Sequence, residues 1–97
     1  MTEKELLEAV RDLARLFGWL TYHTHRSERS EPGFPDLCLT RDGRLIFAEL
    51  KSDTGKVSEA QGRWIGQLRQ TQAEVYIWRP GDLEEIGRVL GRAGPDG

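Results

Sequence analysis

Apolar side chains recur along this chain in patterns that alternate between helical and extended spacing. Residues 3 to 17 carry apolar positions at helical spacing, and Gly18 directly follows the last of them, as is typical of a helix end. The next segment, WLTYH, is rich in residues that favour strands. DLCLT and RLIFAEL then flank RDG, which predicts a three-residue turn whose glycine tolerates a positive φ angle. The first half of the chain therefore predicts a helix, a strand and an antiparallel hairpin.

The second half of the chain continues this alternation. Ser58 is a predicted N-cap, and Gln61, three residues later, completes a capping-box pattern at the start of an amphipathic helix. EVYIW predicts a further strand, which ends before the Pro-Gly pair at residues 80 and 81. Asp82 is the predicted cap of a last helix. The order αβββαβα indicates an α+β or α/β domain in which helices flank a central mixed sheet.

Length and composition limit the chain to one domain with a modest core. Its 97 residues support a single unit, which we expect to span residues 1–91, with residues 92–97 as a flexible tail. No run of about 18 apolar residues is present, and the N-terminus, MTEKELLE, lacks the pattern of a signal peptide. We therefore expect a cytoplasmic protein without a membrane span. Cys38 and the three tryptophans, Trp19, Trp64 and Trp78, occupy positions expected to be buried.

Charge is nearly balanced over the whole chain but is unevenly distributed along it. The 14 basic and 16 acidic side chains give a net charge of −2, which by itself does not favour a polyanionic partner. Acids concentrate in the terminal helices, whereas HTHRSERS and KSDTGK bring cationic side chains to the central hairpin. The hairpin can therefore carry a basic rim on an otherwise acidic protein.

The hairpin also carries charged side chains at positions where its strands are expected to be buried. Side chains alternate between the two faces of a strand, so Glu49 and Lys51 share one face, and antiparallel pairing brings Asp36 close to Glu49. Two close carboxylates repel unless a proton or a cation lies between them, and a hard divalent ion fits this role. Asp36 and Glu49 are thus candidate Mg²⁺ ligands, with Lys51 placed to activate water or to neutralise charge. A solvated edge strand with an ordinary Glu–Lys pair is the alternative interpretation.

The first helix offers a third acid. At about 100° per residue, Glu3 falls within the apolar stripe, whereas Glu8 falls on the opposite face. Glu3 can point toward the same pocket as Asp36 and Glu49. Alternatively, it only interacts favourably with the helix dipole in the first turn.

The motif GFPD…AELK, which contains Asp36, Glu49 and Lys51, resembles the PD-(D/E)XK nuclease signature. The longer pattern GW…YHTH…GFPDL…ELKSDTGKVSEAQGRW…EVYIWRP is similar to the VRR-NUC family, including its small stand-alone phage and prophage members, and it covers residues 3 to about 86. The resemblance implies a restriction-endonuclease-like αβββαβ core and divalent-metal-dependent cleavage of phosphodiester bonds.

The resemblance also implies roles for individual residues. It gives metal ligation by Asp36, Glu49 and the Leu50 carbonyl oxygen, a catalytic lysine at Lys51 and the helix glutamine at Gln61. Glu3 matches the acid of the family's first helix by its spacing from Gly18, although Leu7 stands where many members carry glutamine. The implied cofactor is Mg²⁺ or Mn²⁺.

Several polar side chains near the hairpin have both a functional and a structural interpretation. Gln61 either completes only the capping box or also reaches the phosphate to be cleaved. His23 and His25 share a strand face, but without a third histidine or a partner cysteine we do not expect a zinc site, and we expect His23 to line the cleft or contact DNA. The basic residues that either hold phosphates or form solvated surface are Arg26, Arg29, Lys56 and Arg63.

These features together predict a Mg²⁺- or Mn²⁺-dependent DNA endonuclease that leaves a 5′-phosphate, the last detail being implied by the resemblance. The chain is too small to read much sequence, so branched DNA such as a Holliday junction is the expected target. A homodimer or higher homo-oligomer would bury apolar surface and present two sites to such a substrate. Two alternatives remain open: a catalytically silent DNA-binding or assembly module with this fold, and a sequence-specific, restriction-like nuclease.

Overall fold

The computed structural model describes residues 1–25 and 29–97, and it confirms the predicted order of elements. The elements are α1 (Glu3–Leu16), β1 (Leu20–His23), β2 (Leu37–Arg41), β3 (Arg44–Leu50), α2 (Glu59–Leu68), β4 (Glu74–Trp78) and α3 (Leu83–Gly91), with a 3₁₀ turn over Pro80–Asp82. Arg26 lies outside the described residues. Within the two described ranges, no helix combines the length and apolarity needed to cross a bilayer.

The four strands form one mixed sheet in the order β1-β2-β3-β4. β1 pairs antiparallel with β2, β2 pairs antiparallel with β3, and β3 pairs parallel with β4. The parallel pair requires a crossover, which α2 supplies. The predicted α+β fold with a central mixed sheet is therefore confirmed.

The β2–β3 turn is shorter than the three residues predicted. Arg41 pairs with Arg44, so only Asp42 and Gly43 remain in the loop, with φ angles of 50° and 82°. Two consecutive positive φ angles are the requirement of a type I′ turn, which suits the Asp-Gly sequence and matches the twist of the flanking strands. The three-residue prediction was wrong because it counted Arg41 as part of the turn.

The two faces of β3 have different environments. Ile46, Ala48 and Leu50 are buried in the hydrophobic core, which also contains the apolar stripes of α1 and α3. The alternating positions, Phe47, Glu49 and Lys51, lie on the opposite face, where Phe47 makes an edge-to-face contact with Phe34 at 5.7 Å between ring centroids. The candidate chemistry thus lies on the sheet face opposite the main core.

The tryptophans are not equally buried. Trp19 and Trp78 are 5% and 3% exposed and belong to the core as predicted. Trp64 is only half-buried: its indole N–H donates to the Pro32 carbonyl at 3.1 Å, and its ring meets Phe34 edge-on at 5.0 Å. The core prediction for Trp64 was therefore wrong, because this side chain attaches α2 to the loop before β2.

Two of the three helix starts carry side-chain caps. Ser58 and Gln61 form the predicted capping box of α2, and Thr2 with Glu5 forms a second one on α1. Asp82 occupies the N-cap position of α3, as predicted, but its side chain makes no cap hydrogen bond to this helix. Its carboxylate accepts the Arg79 N–H at 2.8 Å and so closes the preceding 3₁₀ turn instead.

The C-terminal residues lie against the β2–β3 turn. The Asp96 N–H donates to the Asp42 carbonyl at 3.1 Å, and the Arg44 side chain donates to the Arg92 carbonyl at 2.8 Å. Flexibility of residues 92–97, and a domain boundary at residue 91, remain predictions about motion and organisation.

Candidate active site

The hairpin register places Asp36 across from Glu49. Leu37 pairs with Ala48, so the next residue outward on each strand is Asp36 on one side and Glu49 on the other. The Leu50 N–H donates to Asp36 Oδ2 at 2.8 Å, which fixes this carboxylate at the end of β3. The predicted juxtaposition of the two acids therefore follows directly from strand pairing.

Glu49 is a buried carboxylate without a hydrogen-bond partner. Its side chain is 1% exposed, and neither Oε1 nor Oε2 has a partner among the described residues. Burial raises the pKa of Glu49 to about 9, and the Asp36 carboxyl adds to this because it can accept a hydrogen bond from protonated Glu49 and repels the ionised form; the positive charge of Lys51 acts in the opposite direction. A buried, unpartnered carboxylate is costly unless a proton or a cation accompanies it.

Lys51 follows Glu49 on the same face of the sheet. Lys51 is 9% exposed, and its backbone N–H donates to the Trp78 carbonyl at 3.0 Å, which extends the β3–β4 pairing by one position. Its charge lowers the pKa of Glu49, so the ammonium and the carboxylate are within electrostatic reach. The structure thus brings together Asp36, Glu49 and Lys51, as predicted.

An open cleft of about 500 Å³ reaches this group at Asp36; its walls include Asp36 and Gln61, whereas Glu49 and Lys51 are not among its lining residues. Gln61 Oε1 accepts the Ser58 N–H at 2.8 Å, and Ser58 Oγ accepts the Gln61 N–H at 3.1 Å. Both interpretations of Gln61 therefore hold in geometric terms, because the capping-box residue is also a cleft residue. Its role toward a substrate stays a prediction.

Gly33 is a cleft residue whose importance the sequence patterns did not reveal. Its φ angle is +93°, and a Cβ built there would lie 2.5 Å from the Ala60 carbonyl carbon and 2.8 Å from the Gln61 nitrogen. Only glycine permits the loop before β2 to approach the start of α2 so closely. Its place in the GFPD motif was the available signal, and the close approach explains why glycine stands there.

Glu3 lies at the exposed start of α1. Its negative charge is the weakest of the influences that raise the pKa of Glu49, which places it within electrostatic reach of the two acids. Among residues 1–25 and 29–97, no group of three acidic, histidine or cysteine side chains is close enough to hold a metal ion. A role for Glu3 as a metal ligand remains a prediction.

The predicted DNA-binding residues have different positions. Arg29, Lys56 and Arg63 are exposed, and Arg63 lines a second pocket of about 540 Å³ that also includes Trp64. Their contacts with DNA stay predictions, as does that of Arg26, which lies outside the described residues.

The structure gives the cleft-lining position to His25. His23 pairs with Leu37 and lies on the core face of the sheet. His25, two residues later, lines the cleft together with Thr24. The two imidazole rings are 5.0 Å apart. Strand alternation put both histidines on one face, but β1 ends at His23, so the alternation does not extend to His25.

Comparison with known proteins identifies a matching family. The model of the VRR-NUC domain matches residues 2–80, which is most of the chain. The matched range contains the acids, Lys51 and Gln61.

A curated relative is the Fanconi-associated nuclease 1 homolog of Schizosaccharomyces pombe (strain 972 / ATCC 24843), with 35% identity over 77 residues. The alignment covers 75% of this chain but only 10% of the relative, so the chain spans about a tenth of that protein's length.

Two solved structures share the fold. One, described as a VRR_NUC domain, superposes with a TM-score of 0.74 at 20% identity and covers 93% of this chain and 96% of its own. The other, a VRR_NUC domain protein, has a TM-score of 0.73 at 19% identity and covers 93% of this chain and 85% of its own.

Proposed function

The chain belongs to the VRR-NUC domain family, and from this premise we propose that it is a divalent-metal-dependent DNA endonuclease. The family match and the nuclease named among its relatives support nuclease activity. The observation that carries the proposal is the buried Glu49 carboxylate, which has no hydrogen-bond partner and lies across from Asp36 and next to Lys51. A buried carboxylate without a partner destabilises the fold, and such groups are concentrated at functional sites.

The donor set fits a hard divalent cation. Both oxygens of Glu49 are unpartnered, and only one oxygen of Asp36 is engaged by the Leu50 N–H. Mg²⁺ and Mn²⁺ prefer carboxylate and carbonyl oxygens. Asp36, Glu49 and the Leu50 carbonyl would hold the ion, with Glu3 as a further acid within electrostatic reach.

When bound, the ion would polarise a phosphoryl oxygen and lower the pKa of a water molecule. The Lys51 ammonium positions the attacking water beside Glu49 and neutralises negative charge that develops on the phosphate. Gln61, which lines the cleft together with Asp36, would offer its amide to the same phosphate. Water adds to phosphorus as the bond to the 3′-oxygen breaks and the proton lost by the water passes to the departing 3′-oxygen, which gives a 5′-phosphate and a 3′-hydroxyl.

A basic rim would hold the DNA outside this centre. Arg29, Lys56 and Arg63 are exposed cations, and contacts of this kind fix the position of DNA without reading its sequence. The predicted set also contains Arg26 and His23, but His23 lies on the core face of the sheet and His25 lines the cleft instead. A domain of this size, with an open cleft, suits recognition of DNA shape, so branched or Holliday-junction DNA is the proposed substrate class.

The proposed assembly is a homodimer or higher homo-oligomer, in the cytoplasm. Leu20 and Tyr22 on β1 are 74% and 63% exposed, and Leu45 on β3 is 41% exposed. The strand register puts all three on the sheet face that carries α2. A two-fold assembly that covers this face would protect its apolar side chains and hold two cleavage sites at a fixed separation.

The test is cleavage of supercoiled, linear, flapped and four-way DNA by the purified chain with Mg²⁺, with Mn²⁺ and with EDTA. We expect metal-dependent cleavage of branched DNA that Lys51→Ala abolishes. Binding without cleavage in either metal would instead identify a silent DNA-binding module. Discrete products on a long linear duplex would identify a sequence-specific, restriction-like enzyme.

A further inference from the structure

One side chain, that of Arg79, links the end of β4 to the loop that follows Lys51. Its Nη1 donates to the Ser52 carbonyl at 2.6 Å and to the Gly55 carbonyl at 2.7 Å. The preceding residue, Trp78, accepts the Lys51 N–H through its carbonyl at 3.0 Å. Trp78 and Arg79, at the end of β4, therefore bind the Lys51 backbone and the loop that follows it, respectively.

That loop passes close to the Lys51 side chain. The Gly55 N–H donates to Ser52 Oγ at 3.0 Å, which closes the loop on itself. A Cβ built at Gly55 would lie 3.5 Å from Lys51 Cδ, so the loop passes within about one side-chain atom of the lysine's aliphatic part. This packing helps to explain why Lys51 is only 9% exposed.

We propose that Arg79 is the positioning residue for Lys51: by holding the 52–55 loop through two backbone carbonyls, it confines the lysine side chain beside Glu49. The inference rests on the proposed nuclease function, in which Lys51 acts on water and phosphate. A long, flexible lysine contributes little to catalysis unless its packing restricts its rotamers. Arg79 acts through that packing and does not itself touch the reacting atoms.

Arg41 provides a matched control. It also uses its guanidinium to bind backbone carbonyls, those of Phe17 and Leu90 at 2.9 Å each, and that of Arg92. It lies beside the β2–β3 turn, at the opposite end of the hairpin from Asp36 and Glu49. Replacing it removes comparable hydrogen bonds without altering the surroundings of Lys51.

The kinetic test compares Arg79→Gln, Arg79→Lys and Arg41→Gln with the parent on branched DNA. We expect Arg79→Gln to lower kcat by about 10- to 100-fold with KM unchanged, because misplaced catalytic groups slow the chemical step. Arg79→Lys retains a cation with several N–H donors and should recover part of the loss, whereas Arg41→Gln should lower Tm and leave kcat unchanged. A raised KM with unchanged kcat in Arg79→Gln would indicate a DNA phosphate contact and overturn the proposal.

A second readout does not depend on cleavage. The chain has three lysines, Lys4, Lys51 and Lys56, so acetylation of each amine by an N-hydroxysuccinimide ester can be followed by peptide mass spectrometry below Tm. We expect Arg79→Gln to accelerate acetylation of Lys51 several-fold relative to Lys4, and Arg41→Gln to leave it unchanged. Unchanged Lys51 acetylation in Arg79→Gln would overturn the positioning role even if the parent is active. Faster acetylation in a protein whose parent cleaves no DNA would support the positioning of Lys51 and reject the nuclease function alone.

Discussion

Asp36 Oδ2 accepts a hydrogen bond from the Leu50 N–H at 2.8 Å, across the hairpin from its own strand. The bond places a carboxylate next to the last two residues of β3, Glu49 and Leu50. The Asp36 carboxylate, at the start of β2, and the Glu49 carboxylate, near the end of β3, therefore lie side by side. The proposed function requires that this pair of carboxylates bind a cation.

The first prediction concerns the charge of Glu49. Burial raises its pKa from 4.5 to about 9, so between these values the folded protein binds a proton that the unfolded chain does not. Stability without metal should therefore fall as pH rises through this window and level off above it. Glu49→Gln should remove this contribution, leave Tm unchanged or raised at pH 8, and abolish cleavage.

Thermal melts of parent and Glu49→Gln from pH 5 to pH 9 in EDTA measure this contribution, and Mg²⁺ titrations at each pH complete the test. Mg²⁺ should raise the parent's Tm and leave that of Glu49→Gln unchanged. Equal stabilisation of both proteins by Mg²⁺ would mean that the ion binds elsewhere.

The second prediction separates two acids of α1. Glu3 acts on the pKa of Glu49, whereas Glu8 is exposed, on the other side of the helix. Glu3→Gln should slow cleavage or raise the Mg²⁺ concentration needed for half-maximal activity. Glu8→Gln should leave activity unchanged and stay within about 0.5 kcal/mol of the parent in free energy of unfolding.

Metal-dependence curves and urea melts of both variants give the comparison. A larger effect of Glu8→Gln on cleavage would show that Glu3 is only a first-turn acid.

The third prediction concerns the contact between the loop before β2 and α2. Gly33→Ala forces a Cβ into backbone atoms of Ala60 and requires an alanine at a φ angle of +93°. We expect a loss of about 1–3 kcal/mol in free energy of unfolding and slower cleavage, because Asp36 and Gln61 move apart.

Gly62→Ala is the control, since nothing lies within 4 Å of a Cβ at this position in α2. It should stabilise the protein by about 0.5–1 kcal/mol and leave cleavage intact. Urea melts and cleavage rates of the pair test the prediction, and equal stabilities of Gly33→Ala and the parent would refute it.

The fourth prediction concerns self-association through the exposed apolar side chains Leu20, Tyr22 and Leu45 on the sheet face that carries α2. Leu20 and Leu16 are each 74% exposed, but Leu20 lies on the sheet and Leu16 at the end of α1. Leu20→Glu should weaken the dimer because it places a charge in the apolar contact, whereas Leu16→Glu should not.

Sedimentation velocity over a concentration series, with junction cleavage followed in parallel, measures this difference. A parent that stays monomeric, or equal weakening by both substitutions, would leave the proposed interface without support.

Much of the fold was predictable because its local signals agree with its tertiary structure. The Asp-Gly turn between two apolar segments predicts the pairing of β2 with β3, and the position of Asp36 across from Glu49 follows from that register. Ser58 and Gln61 form the cap that their spacing predicts. The central part of the candidate site was therefore accessible from the sequence.

Other features depend on contacts between distant segments and could not be predicted. Glycine is required at position 33 because the backbone of Ala60, 27 residues later in the chain, lies so close to it. Arg79 likewise binds the carbonyls of Ser52 and Gly55, which precede it by 27 and 24 residues. Trp64 lies outside the core because its indole N–H donates to the Pro32 carbonyl. No local pattern reports such pairings, because they arise only when α2 and β4 dock.

The most direct test of the central claim is anomalous diffraction from crystals soaked in Mn²⁺. The account predicts a strong peak between the Asp36 and Glu49 carboxylates, within bonding distance of the Leu50 carbonyl oxygen, and no such peak in Glu49→Gln crystals grown and soaked in the same way. Parent crystals without a peak at this position under saturating Mn²⁺, or with the peak unchanged in Glu49→Gln, would contradict it.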